Sequence, residues 1–160
     1  MLKKGSEPCS PSENDQMNLP DLVALDLRLV GFLLVALAIA HGFLDKHFGW
    51  RQELSKVSLF TRQVFYVHHF FIALTIAMMG LLVLVFPKTL IQGNVLSLSV
   101  DVGLTVFWGV RFYCQLFVYR EQLWRGKRFE TAMHVCFTAF WTYCSLSFWL
   151  AALIAWQQLR

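Results

Sequence analysis

Four long runs of apolar residues, separated by short polar segments, dominate the chain. They fall at residues 22–44, 64–86, 96–119 and 131–156. Each is long enough for a helix that crosses a hydrocarbon core about 30 Å thick, at about 1.5 Å per residue. The runs do not alternate apolar with polar residues, which disfavours membrane-spanning strands. The pattern predicts an all-α polytopic membrane protein with four transmembrane helices in one bundle, residues 21–160, behind a flexible polar tail of residues 1–20.

The composition favours the same fold. Of the 160 residues, 57% are hydrophobic and 15% are charged, whereas about a quarter of the residues of a soluble domain are charged. The net charge of +4 does not indicate binding to nucleic acid, because the basic residues lie in the short segments between the runs. There they act as topology signals.

Basic residues between the runs predict how the helices are oriented in the membrane. Eight of them lie in two segments that a four-span topology places on one side: Lys46, Arg51, Lys56, Arg62, Arg120, Arg125, Lys127 and Arg128. Close to the membrane on the other side are Arg28, Lys88 and Arg160. Because basic loops stay in the cytoplasm, we expect segments 45–63 and 120–130 to be cytoplasmic. Both termini would then lie outside a bacterial inner membrane.

Four histidines fall at one predicted depth, close to the cytoplasmic side. His41 lies near the end of the first run, His68 and His69 about one turn into the second, and His134 about one turn into the fourth. Imidazole is a common ligand of haem iron, copper and zinc. We therefore expect either haem b or a transition metal as a candidate cofactor. Histidines at this depth also fit a second interpretation, in which they lie half hydrated at headgroup level without a ligand.

A haem between helices requires two histidines at matched height on facing helices. His68 or His69 would pair with His134, and Arg111 would neutralise a propionate together with basic loop residues. Adjacent helical residues point about 100° apart, so at most one of His68 and His69 could be that ligand. A transition metal would instead be bound by His41, His69 and His134.

Two helices carry polar stripes that we expect to face the bundle interior, because unpaired polar groups are unfavourable in lipid. The third run places Asp101, Thr105, Trp108, Phe112 and Gln115 on one face, and the fourth repeats His134, Thr138, Thr142 and Ser145. Asp101 requires a partner, for which Arg28 is the predicted candidate.

No catalytic residue set can be assigned. The chain has no phosphate-binding glycine loop, no HExxH and no GxSxG motif, so the sequence does not settle whether the protein is an enzyme. Two functions stay open. The first is a haem- or metal-binding redox protein that exchanges electrons with quinone or a partner subunit. The second is a non-catalytic subunit or assembly factor of a larger membrane complex, which the aromatic content of 16% favours.

Overall fold

The computed structural model describes residues 18–160, apart from the side chains of residues 44–48 and 123. The described chain forms six α-helices and one short 3₁₀ helix: α1 (Leu19–Phe48), α2 (Trp50–Leu54), α3 (Leu59–Val85), α4 (Pro87–Leu90), α5 (Val95–Phe117), the 3₁₀ helix Glu121–Leu123, and α6 (Arg128–Leu159). Helices α1, α3, α5 and α6 are long and apolar enough to cross a membrane. The predicted all-α, four-span fold is therefore confirmed, and the chain is an integral membrane protein.

The long helices extend beyond several of the predicted apolar limits. α1 begins at Leu19 and continues to Phe48, while α3 begins at Leu59 and α6 at Arg128. Polar residues beside an apolar run can continue its helix where the backbone leaves the hydrocarbon, so hydropathy alone marks the membrane crossing and not the helix. Residues 19 and 20, expected in the tail, thus belong to α1, and residues 1–17 lie outside the described chain.

Local chemistry explains where the helices start and stop. The Ser58 side chain accepts a hydrogen bond from the Thr61 backbone N–H at the start of α3, and the Asn94 side chain accepts one from Ser97 N–H at the start of α5. Both are N-caps that satisfy otherwise unpaired backbone donors. Gly49 follows α1 with a φ of 65°, a left-handed conformation that glycine adopts readily. This conformation ends α1, and α2 begins at the next residue.

The four long helices form two antiparallel pairs. α1 packs along α3, and α5 packs along α6, while a smaller contact between α1 and α6 joins the pairs. At one end of the bundle α4 packs against α1 and α5, and Lys88 forms an ion pair with Asp21 at 3.2 Å. The other end carries the two basic segments, and we refer to it as the basic end. This order leaves α1 and α6 central, and α3 is the least covered of the four.

Glycine allows α1 and α3 to approach each other at backbone distance. A Cβ atom added to Gly31 would lie 2.7 Å from the Leu84 nitrogen and 2.8 Å from the Gly80 oxygen. A Cβ atom added to Gly80 would lie 3.0 Å from the Gly31 oxygen. Contacts of this kind are typical of membrane helix pairs, in which small residues let the backbones meet.

Substituting Gly31 by Leu is expected to separate α1 from α3, because the new side chain would collide with backbone atoms that cannot move away locally. We expect a loss of about 1–3 kcal/mol in the free energy of unfolding, measured by thermal or denaturant unfolding of the purified protein in detergent. Gly103→Leu is the matched control, since a Cβ atom there meets nothing within 4 Å. Equal stability of the two variants would contradict the prediction.

Candidate functional site

The structure divides the predicted site histidines between the two helix pairs. His41 lies on α1, while His68 and His69 lie on α3, so all three belong to the α1–α3 pair. His134 lies on α6 and contacts α5 and the segment before α6. Among the described residues, no hydrogen bond or ring contact joins His134 to the other three. A common depth therefore did not bring the four histidines into one cluster.

His41 and His69 form a cluster with two aromatic side chains, which we call the histidine cluster: His41, Trp50, Phe65 and His69. The two imidazole centroids are 5.5 Å apart, at an interplanar angle of 30°. The Trp50 ring meets His69 edge-on at 5.1 Å, and the Phe65 ring lies parallel to it at 6.3 Å. Both histidines are half-buried. The cluster therefore places two imidazoles together in an aromatic setting.

The hydrogen bonds of the cluster determine which ring nitrogens carry hydrogen. His41 Nδ1 is 2.8 Å from the Leu37 carbonyl oxygen, and His69 Nε2 is 3.0 Å from the His41 carbonyl oxygen. A carbonyl oxygen can only accept, so both ring nitrogens must donate. In the neutral rings, His41 Nε2 and His69 Nδ1 then keep their lone pairs. Each histidine offers one nitrogen as a ligand.

His68 points away from this cluster and is exposed. Its Nδ1 donates to the Val64 carbonyl at 2.9 Å, one turn back on the same helix. The 100° rotation between adjacent residues explains why His69 faces α1 and His68 does not. Of the two, His69 is the one that meets another histidine.

Gln115 connects α5 to α6 through both ends of its side-chain amide. It is buried, its Oε1 is 3.3 Å from Trp141 Nε1, and its Nε2 is 2.9 Å from His134 Nδ1. The His134 ring stacks on Trp124 at 4.4 Å with an interplanar angle of 7°. These four residues, together with Arg111, form what we call the Gln115 network.

The hydrogen bond from Trp141 to Gln115 determines which ring nitrogen of His134 carries hydrogen. An indole N–H can only donate, so the Gln115 oxygen faces Trp141 and its NH₂ group faces His134. His134 Nδ1 must therefore accept, and the neutral ring carries its hydrogen on Nε2. Neither nitrogen is left with a free lone pair. The haem pairing of His134 with His68 or His69 stays a prediction. Ligation through His134 Nε2 would move the ring hydrogen to Nδ1, which could then no longer accept from the Gln115 NH₂ group.

Arg111 lies against aromatic rings. Its guanidinium carbon is 4.9 Å from the centroid of Trp141 and 5.6 Å from that of Tyr119. Cation–π contacts of this kind stabilise a partly desolvated guanidinium. Arg111, which was predicted to anchor a propionate, thus packs against Trp141 within the Gln115 network.

The remaining polar residues of the predicted stripes behave in two ways. The hydroxyls of Thr138 and Thr142 donate to carbonyls four residues earlier on α6, at 2.7 and 2.8 Å, and both residues are half-buried.

Asp101 is fully buried, and neither of its carboxylate oxygens has a hydrogen-bond partner among the described residues. The expected pairing of Asp101 with Arg28 is therefore wrong. Asp101 is buried inside the bundle whereas Arg28 is exposed, so the two side chains do not meet.

Sequence reasoning missed the contact that joins the two helix pairs. The Tyr143 hydroxyl donates to Asp26 Oδ1 at 2.5 Å, from α6 to α1. A tyrosine near the middle of one run and an acid near the start of another were both visible signals. Their partnership depends on which helices are neighbours, which a single sequence does not state.

Among the residues that the structure describes, no group of three or more His, Cys, Asp or Glu side chains is arranged to bind a metal ion. The histidine cluster contains two such side chains, His41 and His69. Comparisons with protein-family models, curated proteins and solved structures gave no match for the chain.

Replacing Gln115 by Leu would leave the Trp141 N–H and the His134 Nδ1 without partners. We expect the free energy of unfolding to fall by about 1–2 kcal/mol, since buried groups lose their hydrogen bonds. Chemical denaturation followed by tryptophan fluorescence measures this loss. Gln122→Leu serves as the control, because Gln122 is exposed and its substitution should change stability little. A Gln115→Leu variant as stable as the parent would refute the structural role of the network.

Proposed function

We propose that this integral membrane protein binds a transition-metal ion through His41 and His69 and takes part in electron transfer. The observation that carries the proposal is the ring contact of these two histidines, each held by a carbonyl oxygen that leaves one nitrogen free. The metal would join α1 to α3 near the basic end of the bundle.

The surroundings of the two rings support this assignment. Histidines that bind metals usually donate their other N–H to a carbonyl or carboxylate, which fixes the tautomer and orients the ring. Leu37 and His41 supply such carbonyls. Trp50 and Phe65 add apolar surface beside His69, and an apolar shell influences the redox potential of a bound metal.

Ligand chemistry narrows the choice of metal. Imidazole suits copper, iron, nickel and zinc, and of these copper and iron commonly carry single electrons. Two protein ligands leave coordination positions for water or for a group from another molecule. The electron partner that we propose is a quinone or a second membrane subunit, because both share the bilayer with the half-buried cluster.

Metal analysis tests the proposal. Protein purified after expression with copper and iron supplied should retain a first-row metal, detected by mass spectrometry and, for Cu(II) or ferric iron, by electron paramagnetic resonance. Substituting either His41 or His69 by Ala should weaken binding more than about tenfold, because each ring supplies a ligand.

The matched controls are His68→Ala and His134→Ala, which should leave this metal bound. A metal-free parent protein would refute the proposal. A Soret band that disappears in His134→Ala would replace it with the haem assignment. Thermal unfolding of each variant separates loss of a ligand from loss of the fold.

A second candidate function is that of a non-catalytic subunit or assembly factor. One observation favours it: Ser99 and Gly103 are exposed one turn apart on α5, and the space beside Gly103 is open. Small residues four apart are common where membrane helices associate. A folded protein that binds neither metal nor haem would favour this function over the first.

The topology proposed with either function places both termini outside and both basic segments in the cytoplasm of a bacterial inner membrane. Its support is the charge bias of the two segments. The alternating direction of α1, α3, α5 and α6 also puts these segments at one end of the bundle.

Reporter fusions in a bacterial host test the orientation. Alkaline phosphatase, which is active only outside the cytoplasm, should be active when fused after Arg160 and inactive when fused after Arg125. Green fluorescent protein at the same two sites should give the reciprocal result. The reverse pattern at both sites would show that the orientation is inverted.

A further inference from the structure

Asp101 is the most unusual polar residue of the bundle. It lies on α5 with a relative exposure of 0%, and neither carboxylate oxygen has a hydrogen-bond partner within the described chain. Its backbone carbonyl accepts from the Thr105 hydroxyl at 2.7 Å, but that bond does not involve the carboxylate. An ionised carboxylate in this position would lack both solvent and a counter-charge, which is strongly unfavourable.

Cations on the neighbouring elements are engaged elsewhere. Lys88 on α4 pairs with Asp21. Arg111 lies ten residues after Asp101 on α5, about 15 Å along the helix, and packs against Trp141. Four further titratable groups lie on α6 within its apolar run, residues 131–156: His134, Cys136, Tyr143 and Cys144. Of these, His134 bonds to Gln115 and Tyr143 to Asp26. In the described chain, no ion pair or hydrogen bond from any of them reaches the Asp101 carboxylate.

The size of the site restricts what Asp101 can bind. With no exposed surface, the carboxylate cannot take up a ligand larger than a proton unless α5 and α6 move apart. A metal ion would require several oxygen ligands, and the described residues contain no cluster that supplies them. We infer that Asp101 is a proton-binding site, occupied at neutral pH, inside the α5–α6 interface.

The location of Asp101 restricts when its proton can leave. Asp101 and Trp108 share the buried face of α5, and the Trp108 Nε1 is likewise buried without a partner. Trp108 stacks on Trp141 of α6 at 5.1 Å, and Asp101 lies two turns earlier on the same buried face of α5. A proton on Asp101 can leave only when this interface opens or admits water. Release is thereby coupled to the opening or hydration of this interface.

Infrared spectroscopy of the full chain in lipid tests the assignment. A neutral carboxylic acid has a C=O stretch at higher frequency than the amide bands, and this band shifts on exchange into D₂O. We expect such a band at neutral pH in the parent protein, and we expect its loss in Asp101→Asn. The Asn side chain has nearly the same shape as the protonated acid, so the variant should fold.

Asp26→Asn is the matched control, because Asp26 accepts a bond from Tyr143 and its removal should leave the Asp101 band in place. A parent protein without any carboxylic-acid band would overturn the inference whether or not the variants fold. A band that persists in Asp101→Asn would also overturn it. Asp101→Glu should keep the band at a shifted frequency, which separates loss of the acid from loss of the fold.

Discussion

The hydrocarbon core of a bilayer cannot donate or accept hydrogen bonds, so a polar side chain at that depth is best stabilised by partners within the protein. Five hydroxyls meet this constraint locally, by donating to a carbonyl four residues back: Ser99, Thr105, Thr138, Thr142 and Ser145. These groups are satisfied before any helix meets another. Few polar groups remain to link the helices, and the identity of those few determines how the bundle is assembled.

The two helix pairs are held together by different contacts. α1 and α3 meet through backbone contact at Gly31 and Gly80, where dispersion between closely packed atoms is the attraction. α5 and α6 meet through stacked aromatic rings, Trp108 on Trp141, and through the amide of Gln115. The bond from Tyr143 to Asp26 then ties one pair to the other. In the α1–α3 pair the rings of His41 and His69 lie close together, while in the α5–α6 pair His134 contacts Gln115 and Trp124.

Hydropathy and charge predicted much of the fold, because the energy of placing a helix in lipid depends mainly on its own composition. The positions of the four spans, and of the histidines near their ends, could be predicted from this energy. Which helices are neighbours depends instead on small differences between packing faces. His134 was expected beside His68 or His69 because their depths agree, yet α3 packs on α1 and α6 on α5. Gly31 and Gly80 were the available signal, since small residues mark close helix contacts.

The chemistry of each histidine is determined by its hydrogen-bond partner more than by its depth. A carbonyl oxygen beside His41 or His69 forces that nitrogen to donate, so the other nitrogen keeps its lone pair. The amide of Gln115 presents N–H to His134 because Trp141 occupies its oxygen, so the His134 lone pair is used within the protein. Residues of one type, placed near the same end of one bundle, thus acquire opposite roles. His41 and His69 each keep one lone pair, which the proposed metal ion would use, whereas the bond of His134 to Gln115 contributes to the packing of α5 on α6.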